Sequence, residues 1–409
     1  MITALRQAQV SIFQLRGRKS LLTVKLLAFV LAAAALQAQT LTVLHRFHRH
    51  GDGGFPYDSV LRTAGQFYGT TSEGGSFGYG TVFELTPEGQ ERVLHSFWGA
   101  DGRGPTGSLV RDSAGNLYGT TGRGTVFKLG AAGKLTVLYA FTGGTDGGQP
   151  EGGLLRDHAG NLYGTTTGGG DLNCQFGLGC GVVFKIAPNG KETVLYAFTG
   201  GQDGVQPSGD LIRDRAGNFY GVTEFGGTSS DGILFEVTPS GKETVLYTFS
   251  GGATGYAPMG RLARDDEGNI YGTTHGGGAP SCECGVVFKI DKNGKETVLH
   301  NFTGKPDGAN PWSGVTRDGS GNLYGTTSQG GGSTSCVFGN SGCGTVFKVD
   351  ARGNETVLYS FTAGRDGGSP LAAPVLDNSG NLYGTAWQGG DYSCLPETDG
   401  CGVVYKLTP

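Results

Sequence analysis

The feature that most constrains the fold is a short phrase, G-N-L-Y-G-T-T, which recurs in close variants along the chain. Its seven tyrosines follow one another at intervals of 50, 45, 57, 51, 53 and 59 residues. Intervals of this length, with insertions at one place in the unit, are typical of stacked supersecondary units. The repeated tyrosines are Tyr68, Tyr118, Tyr163, Tyr220, Tyr271, Tyr324 and Tyr383.

Each unit contains four short apolar segments, which predict four antiparallel strands. Gly160 supplies the tight turn between the first two segments of the third unit, and Asn189-Gly190 is a strong hairpin signal between the last two. In that unit the predicted strands are 152–157, 161–166, 181–186 and 191–198. Four such strands repeated radially are the blades of a β-propeller. A β-solenoid is the alternative, but its coils would be shorter and insertions of this size would disturb their stacking.

The two ends of the chain predict how the ring closes. Residues 41–47 have the pattern of a fourth strand with no unit before them, and residues 402–409 form a third strand with no fourth after it. Pairing the two removes exposed sheet edges. The sequence therefore predicts an all-β protein with one domain over residues 39–409. This domain is a seven-bladed β-propeller with four antiparallel strands per blade, closed by its N-terminal strand.

The first 38 residues have the pattern of a secretory signal peptide. Basic residues precede an apolar run at 26–36, and Ala38 is the predicted last residue removed. An uncleaved membrane anchor is the alternative, for which the run is short. The formal net charge is only -4, without a basic block, so no nucleic-acid partner is expected. No later stretch is long and apolar enough to span a membrane. We expect an exported monomer, extracellular or periplasmic.

Eight cysteines occur in four close pairs, each between the second and third strands of one unit. In an exported protein this pattern predicts four local disulfides. A metal site would need ligands that converge, and these pairs belong to separate blades. The ring closed by Cys282 and Cys284 would be strained, so that pair could also stay reduced or pair elsewhere. The pairs are Cys174 and Cys180, Cys282 and Cys284, Cys336 and Cys343, and Cys394 and Cys401.

Two repeated acidic motifs favour structural roles. In six linkers between units, the aspartate of D-G-x-x-P suits a turn in which its carboxylate accepts backbone N–H groups, with Ca²⁺ binding as the alternative. Five Arg-Asp pairs at the turn after the first strand suit structural hydrogen bonds. The linker aspartates are Asp52, Asp101, Asp146, Asp203, Asp307 and Asp366, and the pairs begin at Arg111, Arg156, Arg213, Arg264 and Arg317.

The histidines do not form a recognisable catalytic arrangement. His45, His95 and His300 occupy a fourth-strand position that holds tyrosine in other units. His48 and His50 lie in the first linker, where a metal pair is the alternative to a solvated turn. No nucleophile and base stand together, so the sequence predicts no catalytic residue, no metal and no cofactor.

The run of GNLYGTT, GTVFKL and GKETVLYxF resembles the Gloeo/Verruco (GloVer) tandem repeat of bacterial exported proteins. The resemblance covers residues 41–409 and keeps the same order of motifs in all seven copies. It implies an exported repeat protein and carries no established activity.

The sequence favours a non-catalytic binding or scaffold protein whose partner is an extracellular glycan or protein. A propeller enzyme acting on polysaccharide, as a lyase or hydrolase, is the second hypothesis, and a purely structural envelope component is the third. Linkers and the loops between second and third strands emerge on one face of a propeller, and aromatic residues there suit sugar rings or a protein interface. The predicted ligand-binding residues are Trp98, Trp312, Trp387, Tyr256 and Phe55.

Overall fold

The computed structural model describes residues 39–48, 51–174, 177–333, 336, 341–392 and 400–408. The predicted signal peptide, His50 and Cys394 lie outside these residues, so the signal peptide, the metal pair of His48 with His50 and the disulfide of Cys394 with Cys401 stay predictions. Residues Thr40–Pro409 form one compact unit. Of the described residues, Gly252–Thr254 form a short 3-10 turn, and none belongs to a helix long and apolar enough to cross a membrane.

The protein is a seven-bladed β-propeller, as predicted. Every blade is a sheet of four antiparallel strands. Blade 1 comprises Leu61–Thr63, Gln66–Thr71, Thr81–Leu85 and Glu91–Ser96. Blade 2 comprises Val110–Arg111, Leu117–Thr121, Thr125–Leu129 and Leu135–Ala140. Blade 3 comprises Leu155–Arg156, Leu162–Thr166, Val182–Ile186 and Glu192–Ala197. Blade 4 comprises Val205–Arg213, Phe219–Phe225, Ile233–Val237 and Glu243–Thr248.

The last three blades repeat the same order. Blade 5 comprises Tyr256–Arg264, Ile270–Gly276, Val286–Ile290 and Glu296–Asn301. Blade 6 comprises Thr316–Arg317, Leu323–Thr327, Thr345–Val349 and Glu355–Ser360. Blade 7 comprises Val375–Leu376, Leu382–Ala386 and Val403–Thr408, and its fourth strand is the N-terminal segment Thr40–Arg46. Thr40 pairs with Thr408 and Arg46 with Val403, which confirms the predicted closure.

The repeated phrase folds the same way in blades 2–7 because its residues make the same local contacts, whereas in blade 1 the Tyr68 hydroxyl donates to Glu84. In blade 3 the carboxylate of Asp157 accepts hydrogen bonds from the backbone and side chain of Asn161 and from the Tyr163 hydroxyl. Gly164 leaves room for the third-strand ring, since a Cβ there would lie 2.8 Å from Phe184. The same Asp–Asn–Tyr bonding occurs at Asp112, Asp214, Asp265, Asp318 and Asp377.

Aromatic and cationic contacts join the blades into a ring. At each interface a ring at the end of one fourth strand packs edge-on against a third-strand ring of the next blade, with centroids 5.0–5.3 Å apart. Such a contact contributes about 0.5–1.5 kcal/mol beyond its buried area. The pairs are Phe47–Phe83, Phe97–Phe127, Phe141–Phe184, Phe198–Phe235, Phe249–Phe288, Phe302–Phe347 and Phe361–Tyr405.

The Arg-Asp pairs have structural roles, as predicted. While each aspartate binds its own turn, the arginine lies over the repeated tyrosine of the preceding blade. Arg156, for example, is 5.6 Å from the ring centre of Tyr118. Arg62 over Tyr383 extends this pattern across the point of closure.

Three predicted disulfides are present within the described residues. They join Cys174 to Cys180, Cys282 to Cys284 and Cys336 to Cys343, with Cα–Cα distances of 5.5, 5.2 and 5.3 Å. Each closes the long loop between the second and third strands of its blade. Cys282 is therefore bonded to Cys284 in the structure, and it is neither reduced nor paired with another cysteine.

One prediction about strand length was wrong. In blade 3 the first strand is Leu155–Arg156 rather than 152–157, because Gly152 and Gly153 turn toward neighbouring blades instead of pairing with the second strand. In blade 4 the first strand is longer, but its pairing is interrupted between Ser208 and Ile212. A bulge of this kind re-aims side chains. The segments that leave the sheet pairing in this way form the site described below.

Candidate functional site

A cavity on the propeller axis is built from one short segment of every blade. After each linker proline the chain runs for three residues before it enters the core of the blade. These seven triplets are 57–59, 106–108, 151–153, 208–210, 259–261, 312–314 and 371–373. Members of all seven line a single cavity of about 220 Å³, which only a position on the axis allows. We call this cavity the channel mouth; Thr167 and Glu224 also line it.

The triplets differ from one another, unlike the rest of the repeat. The first residue after the proline is Tyr57, Thr106, Glu151, Ser208, Met259, Trp312 or Leu371. Since all seven blades fold alike, the blade itself does not require any of these side chains. The positions at which the seven repeats differ therefore lie together at the channel mouth.

Two blades hold the carboxylate of Asp210 across the channel mouth. One oxygen accepts a hydrogen bond from the backbone N–H of Gly153, at 2.6 Å, and the other accepts one from the Ser108 hydroxyl, at 3.0 Å. A Cβ on Gly153 would lie 2.7 Å from the first of these oxygens, so the glycine makes the contact possible. Asp210 is therefore fixed in orientation by donors from blades 2 and 3.

Asp58 lies close to Asp210 and has a strongly shifted pKa. Its carboxylate accepts a hydrogen bond from the backbone N–H of Ser59 at 2.6 Å. Burial, followed by the negative charge of Asp210, raises the pKa of Asp58 to about 7, and the Arg261 guanidinium opposes this shift. The side chain is half-buried, and residues of all seven blades surround the cavity, which limits the access of water to the carboxyl group.

A second acidic pair lies at the same mouth. Glu151 is exposed and Glu224 half-buried, but partial desolvation of their carboxyl groups within the cavity raises the pKa of both, and the charge of Glu151 raises that of Glu224 further. Burial raises the pKa of the Tyr57 hydroxyl too, with contributions from Glu151, Asp58 and Glu224. These shifts show that the acidic groups and the tyrosine share one electrostatic environment.

Trp312 supplies an aromatic surface to the channel mouth. It is half-buried, and its ring centre lies 4.7 Å from that of His275 in an edge-on arrangement. Burial lowers the pKa of His275, which favours a neutral imidazole behind the indole. An aromatic surface beside several polar groups is the usual composition of a small-ligand site.

The structure separates the residues predicted to bind a ligand. Of these five, Trp312 lines the channel mouth. Phe55 and Trp387 pack on each other with centroids 5.3 Å apart, and Phe55 is buried. The Tyr256 hydroxyl donates to Glu283 at 3.3 Å. Trp98 is 57% exposed and lies where its linker leaves the fourth strand, away from the channel mouth. Ligand binding by these residues remains a prediction.

The linker aspartates have the structural role expected of them. In all six linkers the carboxylate accepts a backbone N–H from the start of the linker, as Thr303 donates to Asp307 at 3.0 Å. It also bonds the fourth-strand histidine or tyrosine, as between His95 and Asp101 at 2.6 Å. His48 contacts Asp52 and Asp391. Within the described residues, no group of three or more His, Cys, Asp or Glu side chains is arranged to hold a metal ion.

Sequence reasoning did not single out Asp58, Glu151, Asp210, Glu224 or Arg261. Each of them nevertheless occupies a position at which the seven repeats carry different residues, and this variation could have identified it from the sequence. Asp58 occupies a place that is glycine in blades 2–5, and Arg261 and Asp210 follow such a glycine. Comparison of the seven copies identifies these positions, whereas their convergence in one cavity requires the closed ring.

The fold and this site define a seven-bladed propeller with a polar, aromatic-lined axial cavity. A sequence profile of the Gloeobacter/Verrucomicrobia repeat matches residues 30–176, 119–283 and 175–395. The chain belongs to this repeat family. A search of curated proteins finds no sequence match.

Solved structures share the fold at low sequence identity. A streptogramin B lyase has a TM-score of 0.60 at 14% identity, with 90% of this chain and 97% of that chain covered. The extracellular domain of a proposed hybrid two-component system from B. thetaiotaomicron has a TM-score of 0.55 at 13% identity, covering 90% of this chain and 42% of that one. A proposed 6-phosphogluconolactonase from Bacteroides uniformis has a TM-score of 0.50 at 16% identity, covering 80% and 89%. At these identities the likeness concerns the fold alone.

Proposed function

We propose that the protein is an exported saccharide-binding protein whose ligand enters the channel mouth. The observation that carries this proposal is the presence, in one cavity, of an indole ring and several polar side chains that bond no other protein group and are open to a ligand. Within the described residues, the Arg261 guanidinium, the Tyr57 hydroxyl and the Glu224 carboxylate make no hydrogen bond, although all three line the cavity with Trp312. A ligand can satisfy them.

A sugar ring matches this set of groups. Its C–H face packs on an aromatic ring, while its hydroxyls both donate and accept hydrogen bonds at the edge. The cavity of about 220 Å³ is below the ~300–1,000 Å³ of drug-sized sites, so it suits the end of a saccharide rather than a long stretch of one. Trp98, Phe55 and Trp387 belong to linkers and loops, and Tyr256 begins the first strand of blade 5. We propose these four residues as contacts or supports for the remaining sugar units of a longer saccharide.

Export is supported by two independent features. The disulfides of the blade loops are stable in oxidising compartments, and the sequence of residues 1–38 predicts a signal peptide. An extracellular or periplasmic protein meets saccharides of cell walls and surface polymers, which is consistent with the proposed ligand.

The test is a glycan array followed by calorimetry on residues 39–409. For a ligand of one or two rings, we expect Trp312→Ala to weaken binding by at least about tenfold, because a buried aromatic contact is worth over ~1 kcal/mol. Trp98→Ala is the matched control and should bind normally, since that indole lies outside the cavity. The proposal is wrong if no saccharide binds, or if Trp312→Ala binds as tightly as the wild type while remaining folded.

An enzyme acting on the same saccharide is the second candidate. Asp58, with a pKa raised to about 7, can hold or release a proton at neutral pH beside the fixed carboxylate of Asp210. Pairs of carboxyl groups in unlike environments are used as acid and base in many hydrolases. Enzymes are present among the propellers of similar fold, but their names do not assign a reaction to this chain. Product formation that Asp58→Asn abolishes, with saccharide binding retained, would establish catalysis.

A further inference from the structure

The four carboxyl groups of the channel mouth fall into two kinds. Asp58 and Asp210 accept hydrogen bonds from protein donors. The carboxylates of Glu151 and Glu224 line the same cavity and make no hydrogen bond within the described residues. Opposite these four acids, the cavity contains a single cationic side chain, Arg261. Of the four charged or hydroxyl-bearing cavity side chains that make no hydrogen bond within the described residues, two are therefore negatively charged acceptors, and the other two are Tyr57 and Arg261.

The two glutamates come from neighbouring blades, at positions where the other copies carry no acid. Glu151 directly follows the linker proline of blade 3, where the other six copies have Tyr, Thr, Ser, Met, Trp and Leu. Glu224 follows the G-x-T triplet of the second strand of blade 4, where the others have Ser, Gly, Thr, His, Ser and Trp. Six blades form without an acid at each position, so the fold does not need these two.

Their placement is unfavourable in the absence of a cation. Glu151, Glu224 and Tyr57 line the same cavity, and the charge of Glu151 raises the pKa of Glu224, because two negative charges in one cavity repel each other. A positive group between them would remove this repulsion. The rings of Tyr57 and Trp312 suit the same group, because aromatic faces attract cations. An ammonium group also has three donors and no acceptor, which matches a site of carboxylate acceptors.

We propose that Glu151 and Glu224 are specificity-determining residues that bind a protonated amino group of the ligand, so that the channel mouth prefers an amino sugar to a neutral sugar. This inference rests on the proposed saccharide site, whose cavity and indole ring position the sugar. Glu151 and Glu224 then select its charge. Asp58 and Asp210 already accept hydrogen bonds from the protein and are not required for the preference.

Calorimetry with three short oligosaccharides of equal length tests the inference. The probes are oligomers of glucosamine, of N-acetylglucosamine and of glucose, at pH 6.5, low ionic strength and with a chelator present. We expect the glucosamine oligomer to bind at least about tenfold more tightly than the other two, which is ~1.4 kcal/mol. Acetylation removes the charge and keeps the sugar ring, so the comparison isolates the amino group.

The variant Glu151→Gln/Glu224→Gln should abolish this preference, because the affinity for the glucosamine oligomer falls to that for the neutral oligomers. Glu88→Gln/Glu267→Gln is the matched control, since it removes two acidic charges from exposed turns elsewhere and should keep the preference. Acidification should weaken the preference, because protonated glutamates no longer attract a cation. Equal affinity for the charged and acetylated probes, or binding of other saccharides but none of these three, would overturn the inference while the saccharide site stands. The absence of binding by any saccharide on the array would overturn both.

Discussion

Among single residues, Tyr405 departs from its repeat without an evident structural gain. The equivalent third-strand position holds phenylalanine in the other six blades, at 83, 127, 184, 235, 288 and 347. Tyr405 is fully buried, and its hydroxyl has no hydrogen-bond partner within the described residues. The hydroxyl faces Gly384, where even a Cβ would lie only 2.5 Å away. An unsatisfied buried hydroxyl is costly, because it gives up its bonds to water.

We expect Tyr405→Phe to raise the free energy of unfolding by about 1–3 kcal/mol. Removal of the hydroxyl eliminates its desolvation cost and keeps the edge-on contact with Phe361. Chemical denaturation measures the change. Phe347→Tyr, which places the same hydroxyl in blade 6, is the reciprocal control and should be destabilising. A less stable Tyr405→Phe protein would show that the hydroxyl has a favourable partner, such as a bound water.

At the scale of elements, each fourth strand begins with a residue that faces the preceding blade. In five blades this residue is a glutamate with one buried oxygen that lacks a hydrogen-bond partner: Glu91, Glu192, Glu243, Glu296 and Glu355. Burial is the main cause of raised pKa values at all five. The linker aspartates Asp52, Asp203 and Asp307 add to the shifts of Glu91, Glu243 and Glu355, whose pKa values reach about 7.

Because the pKa values of these glutamates are raised, we expect the free energy of unfolding of the propeller to be higher in mild acid than in mild base. A glutamate near pKa 7 in the native state but 4.5 when unfolded takes up a proton on folding between these values. Stability therefore falls as the pH rises from about 4.5 to 7, and then levels off. The turn aspartates have lowered pKa values, about 2 for Asp112, so their effect on stability with pH is the opposite. They stay ionised between pH 4.5 and 7 and do not change the trend there. Stability should consequently reach its maximum near pH 5.

Thermal unfolding at pH 5.5 and pH 8 tests this prediction, with a higher midpoint expected at pH 5.5. In the triple variant Glu91→Gln, Glu243→Gln and Glu355→Gln the difference should shrink, because the amides do not titrate. Glu88→Gln, at an exposed turn, should leave it unchanged. A wild-type midpoint that is higher at pH 8 would contradict the assigned pKa directions.

The sequence also predicts the elements better than the site, and the reason is physical. Repetition reveals what the copies share: the Asp–Asn–Tyr turn, the glycine opposite Phe184, and the strand pattern of each blade. The channel mouth is built from what they do not share. Trp98 and Trp312 both lie in linkers, but a linker crosses from the outer strand of one blade to the inner strand of the next. Trp98 stands at the outer start and Trp312 at the inner end, so residue type alone could not separate them.

For the whole molecule, the property that matters most is that the ring is closed by strands from both ends of the chain. The end-to-end pairing was predictable because a fourth strand without a unit complements a unit without a fourth strand. The convergence of seven triplets on the axis was not, since it depends on how far each first strand extends. Pairing is interrupted between Ser208 and Ile212 and between Met259 and Ala263, which places Asp210 and Arg261 at the cavity. No local pattern specifies these interruptions.

Deletion of residues 41–47 should open the ring. It would expose Val403–Thr408 as an unpaired edge and remove Phe47, which is fully buried against Phe83 of blade 1. Loss of a buried phenylalanine alone typically costs about 3–5 kcal/mol, and an unpaired edge strand favours association. We therefore expect a much lower melting temperature, with oligomers or aggregates in light scattering.

A permuted protein with 41–47 moved to follow Pro409 through a short flexible linker is the control, because the same strand can then return to Val403–Thr408 from the other end. Recovery of a monomer with a near-native melting temperature in the permuted protein would attribute the defect to the missing pairing rather than to the shortened sequence. A monomeric deletion protein that melts at the wild-type temperature would contradict the closed ring.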